Sequence, residues 1–207
     1  MNSQSVYFVD DDASIRDALK SFLDLSGVPT QVFSSGDEFL AKLQPHYNGC
    51  VLLDLKMPGL NGLQVHQELV NRDSLLPVII MTAHGDVSTV RNALKAGAYD
   101  FLEKPVENSI LLDVVRSALD FAASRRRRFL EQSDMESKVA RLTGREREVM
   151  RHLALGRQFR DIASILGISP RTVEVYKARM MEKLGTRSLA DVIHIASKLS
   201  DESAATD

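Results

Sequence analysis

Over the first 120 residues, unbroken apolar runs alternate with stretches whose apolar positions recur every three or four residues. That alternation predicts successive βα units. Val6–Val9 is continuously apolar and ends on Asp10, which reads as a buried strand. Ser14 opens a helix to Leu25, with Asp17 three residues on as its capping-box partner. Thr30–Phe33 is a second strand, and Ser35 to Glu38 a further capping box that opens a helix to about Leu43. Cys50–Asp54 is a third strand, apolar up to its closing acid, and a helix follows over about Gly62–Asn71. Pro77–Met81 is the fourth strand, Asp86–Ala96 the fourth helix and Tyr99–Leu102 a short fifth strand, after which a helix begins near Val106. Strands without polar alternation suit a parallel sheet covered on both faces. The expected architecture is an open, doubly wound α/β sheet of five parallel strands.

The rest of the chain changes character. From Thr143 to Leu199 the pattern predicts four helices and no strand, over about 144–154, 159–166, 170–184 and 188–198. Thr143 to Glu146 is a capping box, Ser169-Pro170 sets an N-cap before a proline at the first helical position, and Ser188 to Asp191 is a weaker cap. Between the two parts, 106–142 holds neither Pro nor Gly and reads as a continuous helical linker. Leu112, Val115, Leu119 and Ala122 lie at heptad-like spacing, and Arg125–Arg128 interrupts the seam. The Arg cluster reads as a solvated face; DNA phosphates or the acidic first domain are the other partners open to it. The expected division is 1–122, an α/β domain; 123–140, a helical linker; 141–200, an all-α four-helix domain; and 201–207, a flexible polar tail.

Composition narrows the function. No apolar run approaches the roughly 18 residues of a membrane-crossing helix, and the N-terminus lacks a signal-peptide pattern. Cys50 is the only cysteine, which excludes an intrachain disulfide and a cysteine metal cluster and fits a reducing cytoplasm. The formal net charge of -2 hides an asymmetry: residues 1–120 hold 9 Lys+Arg against 16 Asp+Glu, and residues 121–207 hold 17 against 12. The basic half is a nucleic-acid candidate, although a basic solvated face has the same balance.

In an open α/β sheet, ligands bind at the carboxyl ends of the strands. There the sequence places Asp10 and Asp11 after strand 1, Asp54 at the end of strand 3, Thr82 after strand 4 and Lys104 after strand 5. Clustered carboxylates raise one another's pKa, and a divalent cation relieves the repulsion. Hard oxygen ligands suit Mg²⁺, which keeps waters and takes few carboxylates. An ionised carboxylate can attack a phosphoryl group, with metal and lysine neutralising its oxygens. Any one of these acids alone would read as a helix cap or a solvated loop residue; it is the full set at the strand ends that points to a site. A phosphohydrolase with an aspartate nucleophile needs a second acid two residues on, where this chain has Lys56. A flavin binder needs a phosphate-cradling loop after strand 1, where Asp10-Asp11-Asp12 would repel phosphate.

Phe159 to Leu184 has helix-turn-helix proportions. Arg160–Leu166 forms the first helix, Gly167-Ile168-Ser169 the turn, and Pro170–Leu184 a second helix of roughly 22 Å. Val173, Tyr176, Met180 and Leu184 form its inward face; Arg171, Glu174, Val175, Ala178 and Glu182 share the other. Val175 there is either a thymine-methyl contact or an ordinary exposed valine, and Glu174 either accepts from cytosine N4 or is solvated. Arg171, Thr172, Lys177 and Lys183 are candidate phosphate contacts.

Four blocks, Val9–Asp12, Asp54–Gly59, Met81–Gly85 and Phe101–Pro105, resemble the signatures of CheY-like receiver domains over roughly residues 4–122. The resemblance implies the flavodoxin-like strand order 2-1-3-4-5, with Asp54 as phosphoacceptor. It implies Mg²⁺ on Asp11, Asp54 and the backbone carbonyl of Lys56, with Asp10 helping through water. Thr82 and Phe101 become the switch pair, Lys104 the phosphoryl contact, and Lys104–Pro105 a cis peptide. Asp12, often Glu in such domains, is read as peripheral. Leu142–Val149 and Ile168–Val175 resemble LuxR-type helix-turn-helix proteins. Together the two parts resemble the FixJ/NarL-type regulators, on the FixJ side. Phe159 stands where a small polar residue is frequent, and Tyr176 where His is. The fourth helix, with Leu189, Val192, Ile193 and Ala196, resembles the family's dimerising helix, and those positions also suit a plain core.

The implied function is that of a cytoplasmic two-component response regulator and not an enzyme, beyond its own phosphoryl transfer and dephosphorylation. A sensor histidine kinase phosphorylates Asp54, the face near Val90, Lys95 and Phe101 changes, and the chain pairs as a homodimer on promoter half-sites of double-stranded DNA. RNA polymerase is a further partner that this role allows; a membrane is not.

Overall fold

The computed structural model describes residues 4–83, 91 and 93–204, with backbone alone for 198–204. The chain forms two compact units, which divide between Arg128 and Phe129, inside the segment expected to be a linker.

The first unit runs β1 (Ser5–Val9), α1 (Ala13–Leu25), β2 (Thr30–Phe33), α2 (Gly36–Lys42), β3 (Gly49–Asp54), α3 (Gly62–Asn71), β4 (Val78–Thr82) and β5 (Asp100–Glu103), then enters α4 (Asn108–Ala140). The strands pair in parallel in the order β2-β1-β3-β4-β5, as expected. Successive side chains on a strand face opposite ways, and here both faces are buried. Tyr7, Val9, Val51, Leu53 and Ile80 join Phe39, Val65 and Leu69 of α2 and α3. Val6, Phe8, Cys50, Leu52 and Ile79 join Leu23 of α1 and Leu111, Val115 and Ala118 of α4. This explains why the strands read as unbroken apolar runs. Of the helix expected over Asp86–Ala96, residues 91 and 93–95 are helical among the described residues. Val90, His84 and Gly85 lie outside the described residues.

The start of α1 differs from expectation. Ser14 does not cap α1. Asp12 does, its carboxylate accepting from the Ser14 and Ile15 backbone N–H groups at 2.8 and 3.2 Å. The residue read as peripheral therefore starts the helix, because a carboxylate two residues earlier reaches the orphan donors first. At α2, Ser35 accepts from Glu38 N–H as expected, but Glu38 returns its bond to Ser34.

The α4 helix is continuous. Its apolar seam in the first unit falls on Leu111, Val115, Ala118 and Ala122, with Leu112 and Leu119 half-buried beside it. The Gln4 side chain donates to the Leu119 carbonyl (2.6 Å) and the Arg126 guanidinium to the Tyr47 carbonyl (3.4 Å). Arg126 thus meets the first unit, while Arg125, Arg127 and Arg128 are exposed.

The second unit contains the end of α4, then α5 (Gly144–Ala154), α6 (Phe159–Leu166), α7 (Pro170–Leu184) and α8 (Leu189–Ala204). Met135 and Val139 of α4 pack on its core of Val149, Leu153, Ile162, Val173, Met180, Leu184 and Val192. Both halves of the Thr143/Glu146 capping box form. The α8 helix continues to Ala204, into the stretch expected to be a flexible tail. Among the described residues no helix is long and apolar enough to cross a membrane.

Candidate functional site

The acidic site is built by strand ends. β1 releases Asp10, β3 closes on Asp54, β4 closes on Thr82, and Lys104 follows β5. The parallel register sets Asp54 beside Met81 and Thr82 beside Glu103, so β3, β4 and β5 end in polar residues within one residue of a common level. Asp10 is 1% exposed, Asp54 6% and Thr82 1%. The Lys104 ammonium donates to Asp10 (2.7 Å) and to Asp54 (2.5 Å). Each carboxylate is braced by its own loop: Asp12 N–H donates to Asp10 at 2.9 Å and Lys56 N–H to Asp54 at 2.8 Å. The Lys104 N–H bonds the Thr82 carbonyl (2.7 Å), and the Lys104–Pro105 peptide is cis.

Two groups that the sequence did not single out support the cluster. The Arg16 guanidinium donates to the Asp10 carbonyl at 2.7 Å. Gly62 leaves room under Asp54: a Cβ there would lie 2.5 Å from the Asp54 carbonyl oxygen. A glycine that opens a helix eight residues after a strand-end acid was the only signal available. Asp11 and Lys56 are exposed, and Phe101 is half-buried against the core under β4.

The electrostatics follow from burial. Burial, with Asp10's charge adding, holds the Asp54 carboxyl above its usual range, although the hydrogen bond from Lys104 pulls it down. Burial would lower Lys104, but its bonds to Asp10 and Asp54 outweigh that and raise it, so the ammonium stays charged. Two buried carboxylates thus share one cation. Among the described residues no group of three or more His, Cys, Asp or Glu side chains is set to hold a metal. Hard oxygens in a net negative cluster nevertheless suit Mg²⁺, which needs few protein ligands.

The second candidate is the α6–α7 pair. Gly167 turns the chain at φ 67°, a left-handed conformation that glycine adopts without a Cβ clash. Ser169 then caps α7, accepting from Thr172 N–H at 3.1 Å, with Pro170 at the first helical position. Val173, Met180 and Leu184 are buried and Tyr176 is half-buried. Arg171, Glu174, Val175 and Ala178 are exposed, as is Arg179, which the sequence reading passed over. Val175 is 42% exposed, an apolar side chain on a polar face. Three of the expected phosphate contacts have partners inside the unit. Thr172 shares a hydroxyl bond with Ser169 (2.8 Å), Lys177 lies over the Phe159 ring (5.2 Å to its centroid) and Lys183 pairs with Glu146 (2.6 Å). On α8, Val192 and Ala196 are core, whereas Leu189 and Ile193 are each 38% exposed.

Known proteins share both halves. Residues 6–116 match the response regulator receiver domain, and residues 140–196 match the luxR family of bacterial regulatory proteins. The transcriptional regulatory protein FixJ of Bradyrhizobium diazoefficiens is 39% identical over 191 residues, covering 92% of this chain and 93% of that protein.

This chain belongs to the FixJ-like response regulators.

The transcriptional regulatory protein TdiR of Thauera aromatica is 37% identical over 93% of this chain and 85% of its own length. Among solved structures, the response regulator StyR superposes with a TM-score of 0.86 at 36% identity, over 95% of this chain and all of that one. Full-length FixJ from B. japonicum gives 0.58 at 38% identity, over 95% and 97%. A receiver joined to a LuxR-type DNA-binding domain makes this response regulator a transcription regulator and not an enzyme of the ordinary kind. A histidine kinase and DNA are the partners that this pairing implies, and receiver domains generally bind Mg²⁺ for phosphorylation.

Proposed function

We propose that Asp54 is the phosphoacceptor of a cytoplasmic, kinase-driven transcription switch. The observation that carries this is the single Lys104 ammonium between two buried carboxylates at the strand ends. An Asp54 oxygen attacks the phosphorus of a phosphohistidine, the P–N bond breaks and an acyl phosphate forms. Lys104 then faces the new phosphoryl oxygens, and the hydroxyl of Thr82, the last residue of β4, would hydrogen-bond them. Asp11, Asp54 and the Lys56 carbonyl would hold Mg²⁺, with Asp10 helping through water; the ion would supply positive charge against the phosphoryl oxygens. Slow attack of water on the phosphorus breaks its bond to the Asp54 oxygen, releases inorganic phosphate and restores the carboxylate.

The switch pair is Thr82 and Phe101, and the changed face is the one near Phe101 and Lys95. Phosphorylation promotes pairing of two chains, which present two α7 helices to half-sites about one DNA turn apart. On α7, Arg171 and Thr172 would meet phosphates, and Glu174, Val175 and Ala178 base edges. The exposed Leu189 and Ile193 of α8 would meet the second copy. RNA polymerase is the last partner of the bound dimer.

The test is incubation with Mg²⁺ and a small acyl-phosphate donor, followed by intact mass and light scattering. The expected result is one added phosphate and a shift from monomer to dimer, both lost in Asp54→Asn. A phosphate still added to Asp54→Asn would sink the assignment.

A further inference from the structure

Lys183 and Glu146 are 37 residues apart in sequence and 2.6 Å apart in space. Glu146 is 2% exposed. Its carboxylate accepts from Thr143 N–H at 2.7 Å and from Lys183, while its own N–H donates to the Thr143 hydroxyl at 3.3 Å. One buried acid therefore ties the first turn of α5 to the last turn of α7. At 3.6 residues per turn, Lys183 lies about 120° around α7 from Arg171, whereas Arg179 lies about 80° away and is exposed. Lys183 gives one of its three donors to Glu146, and swinging away from α7 to follow a phosphate would strand that buried carboxylate, which is strongly unfavourable. Arg171 and Arg179 carry no such commitment among the described residues.

We infer that Lys183 is a positioning residue: through Glu146 it sets how α7 presents Arg171, Glu174 and Val175 to a duplex, and it does not itself touch the phosphate backbone. This rests on α7 being the helix that meets the duplex.

The experiment uses the full-length chain and two probes: a short duplex enriched from a random pool by the unsubstituted protein, and an unselected random-sequence duplex. Affinity for each is measured across a salt series, and the folded fraction is checked by circular dichroism. Lys183→Met and Glu146→Gln are expected to cut the preference for the selected duplex by about tenfold, the size of one mismatched base pair. The slope of log Kd against log salt stays unchanged for both. Lys183→Arg keeps the preference, and Arg171→Met lowers the slope by about 0.9. A purely structural role would weaken both probes equally through the folded fraction, and that unchanged preference overturns the inference. So does a slope lowered by Lys183→Met. Glu146→Gln keeps the Thr143 acceptor and the side-chain volume, so it carries the test if Lys183→Met does not fold. Full affinity in both Arg171→Met and Val175→Asp overturns the α7 reading, and this inference with it.

Discussion

Lys104 and Asp54 are 50 residues apart in the chain, yet the ammonium of one lies 2.5 Å from the carboxylate of the other. The same ammonium serves Asp10. Replacing it leaves two buried acids facing each other without a cation.

Lys104→Met is therefore expected to destabilise the receiver by about 3 kcal/mol at neutral pH, the scale of breaking a buried pair. The loss should shrink in acid, where protonation relieves the repulsion. Urea unfolding at neutral pH and near pH 4 checks both parts, and equal losses at the two would contradict the charge argument.

Asp54 has a folded-state pKa raised chiefly by burial. A raised pKa means that folding disfavours the ionised form. The group's favourable contribution is complete below the unfolded-state pKa and is lost as pH rises through the folded one. Asp54→Asn is thus expected to be at least as stable as the parent at neutral pH while accepting no phosphate. Thermal unfolding with and without donor would show it. For the parent, the rate of labelling by an acyl-phosphate donor should fall with acidity from above the ordinary carboxylate range.

Glu146 has the opposite sign. Burial alone would raise its pKa, but Lys183 and the Thr143 groups outweigh that and lower it. Its contribution is present above the ordinary glutamate value and is lost as pH falls through the lowered one. Acid unfolding of the second unit should therefore be shallower in Glu146→Gln than in the parent. A parallel pair of acid limbs, followed by tryptophan-free far-UV circular dichroism, would rule this out.

Gly62 and Gly144 both open helices but should respond oppositely to alanine. At Gly62 a Cβ would meet backbone, 2.5 Å from the Asp54 carbonyl and 3.0 Å from the Leu55 Cα. Gly62→Ala is expected to cost about 2 kcal/mol and to slow labelling of Asp54. At Gly144 nothing lies within 4 Å, so Gly144→Ala is expected to stabilise by about 0.5 kcal/mol through the unfolded chain. Chemical denaturation of the two variants reads the contrast directly.

Much of the fold was legible because its causes are local. The helices at Gly62–Asn71, Gly144–Ala154 and Pro170–Leu184 begin where their N-cap residues put them, and the last also ends at its glycine, Gly185. The exception at α1 is informative. Ser14 and Asp12 are both good caps, and only the path of the loop after Asp10 decides which reaches the orphan N–H groups.

The sequence by itself determined the element order, the parallel sheet and the row of acids, threonine and lysine at its carboxyl edge. Period, capping residues and apolar runs act over a few residues and need no knowledge of what lies across the fold. Tertiary structure alone decided which charges meet. Lys183, read from α7 as a phosphate contact, is held by Glu146; Lys177 lies over Phe159; and Lys104 joins Asp10 to Asp54. A helical pattern shows which way a side chain leaves its own helix. Whether a buried partner waits there depends on packing between segments tens of residues apart, which no local periodicity encodes.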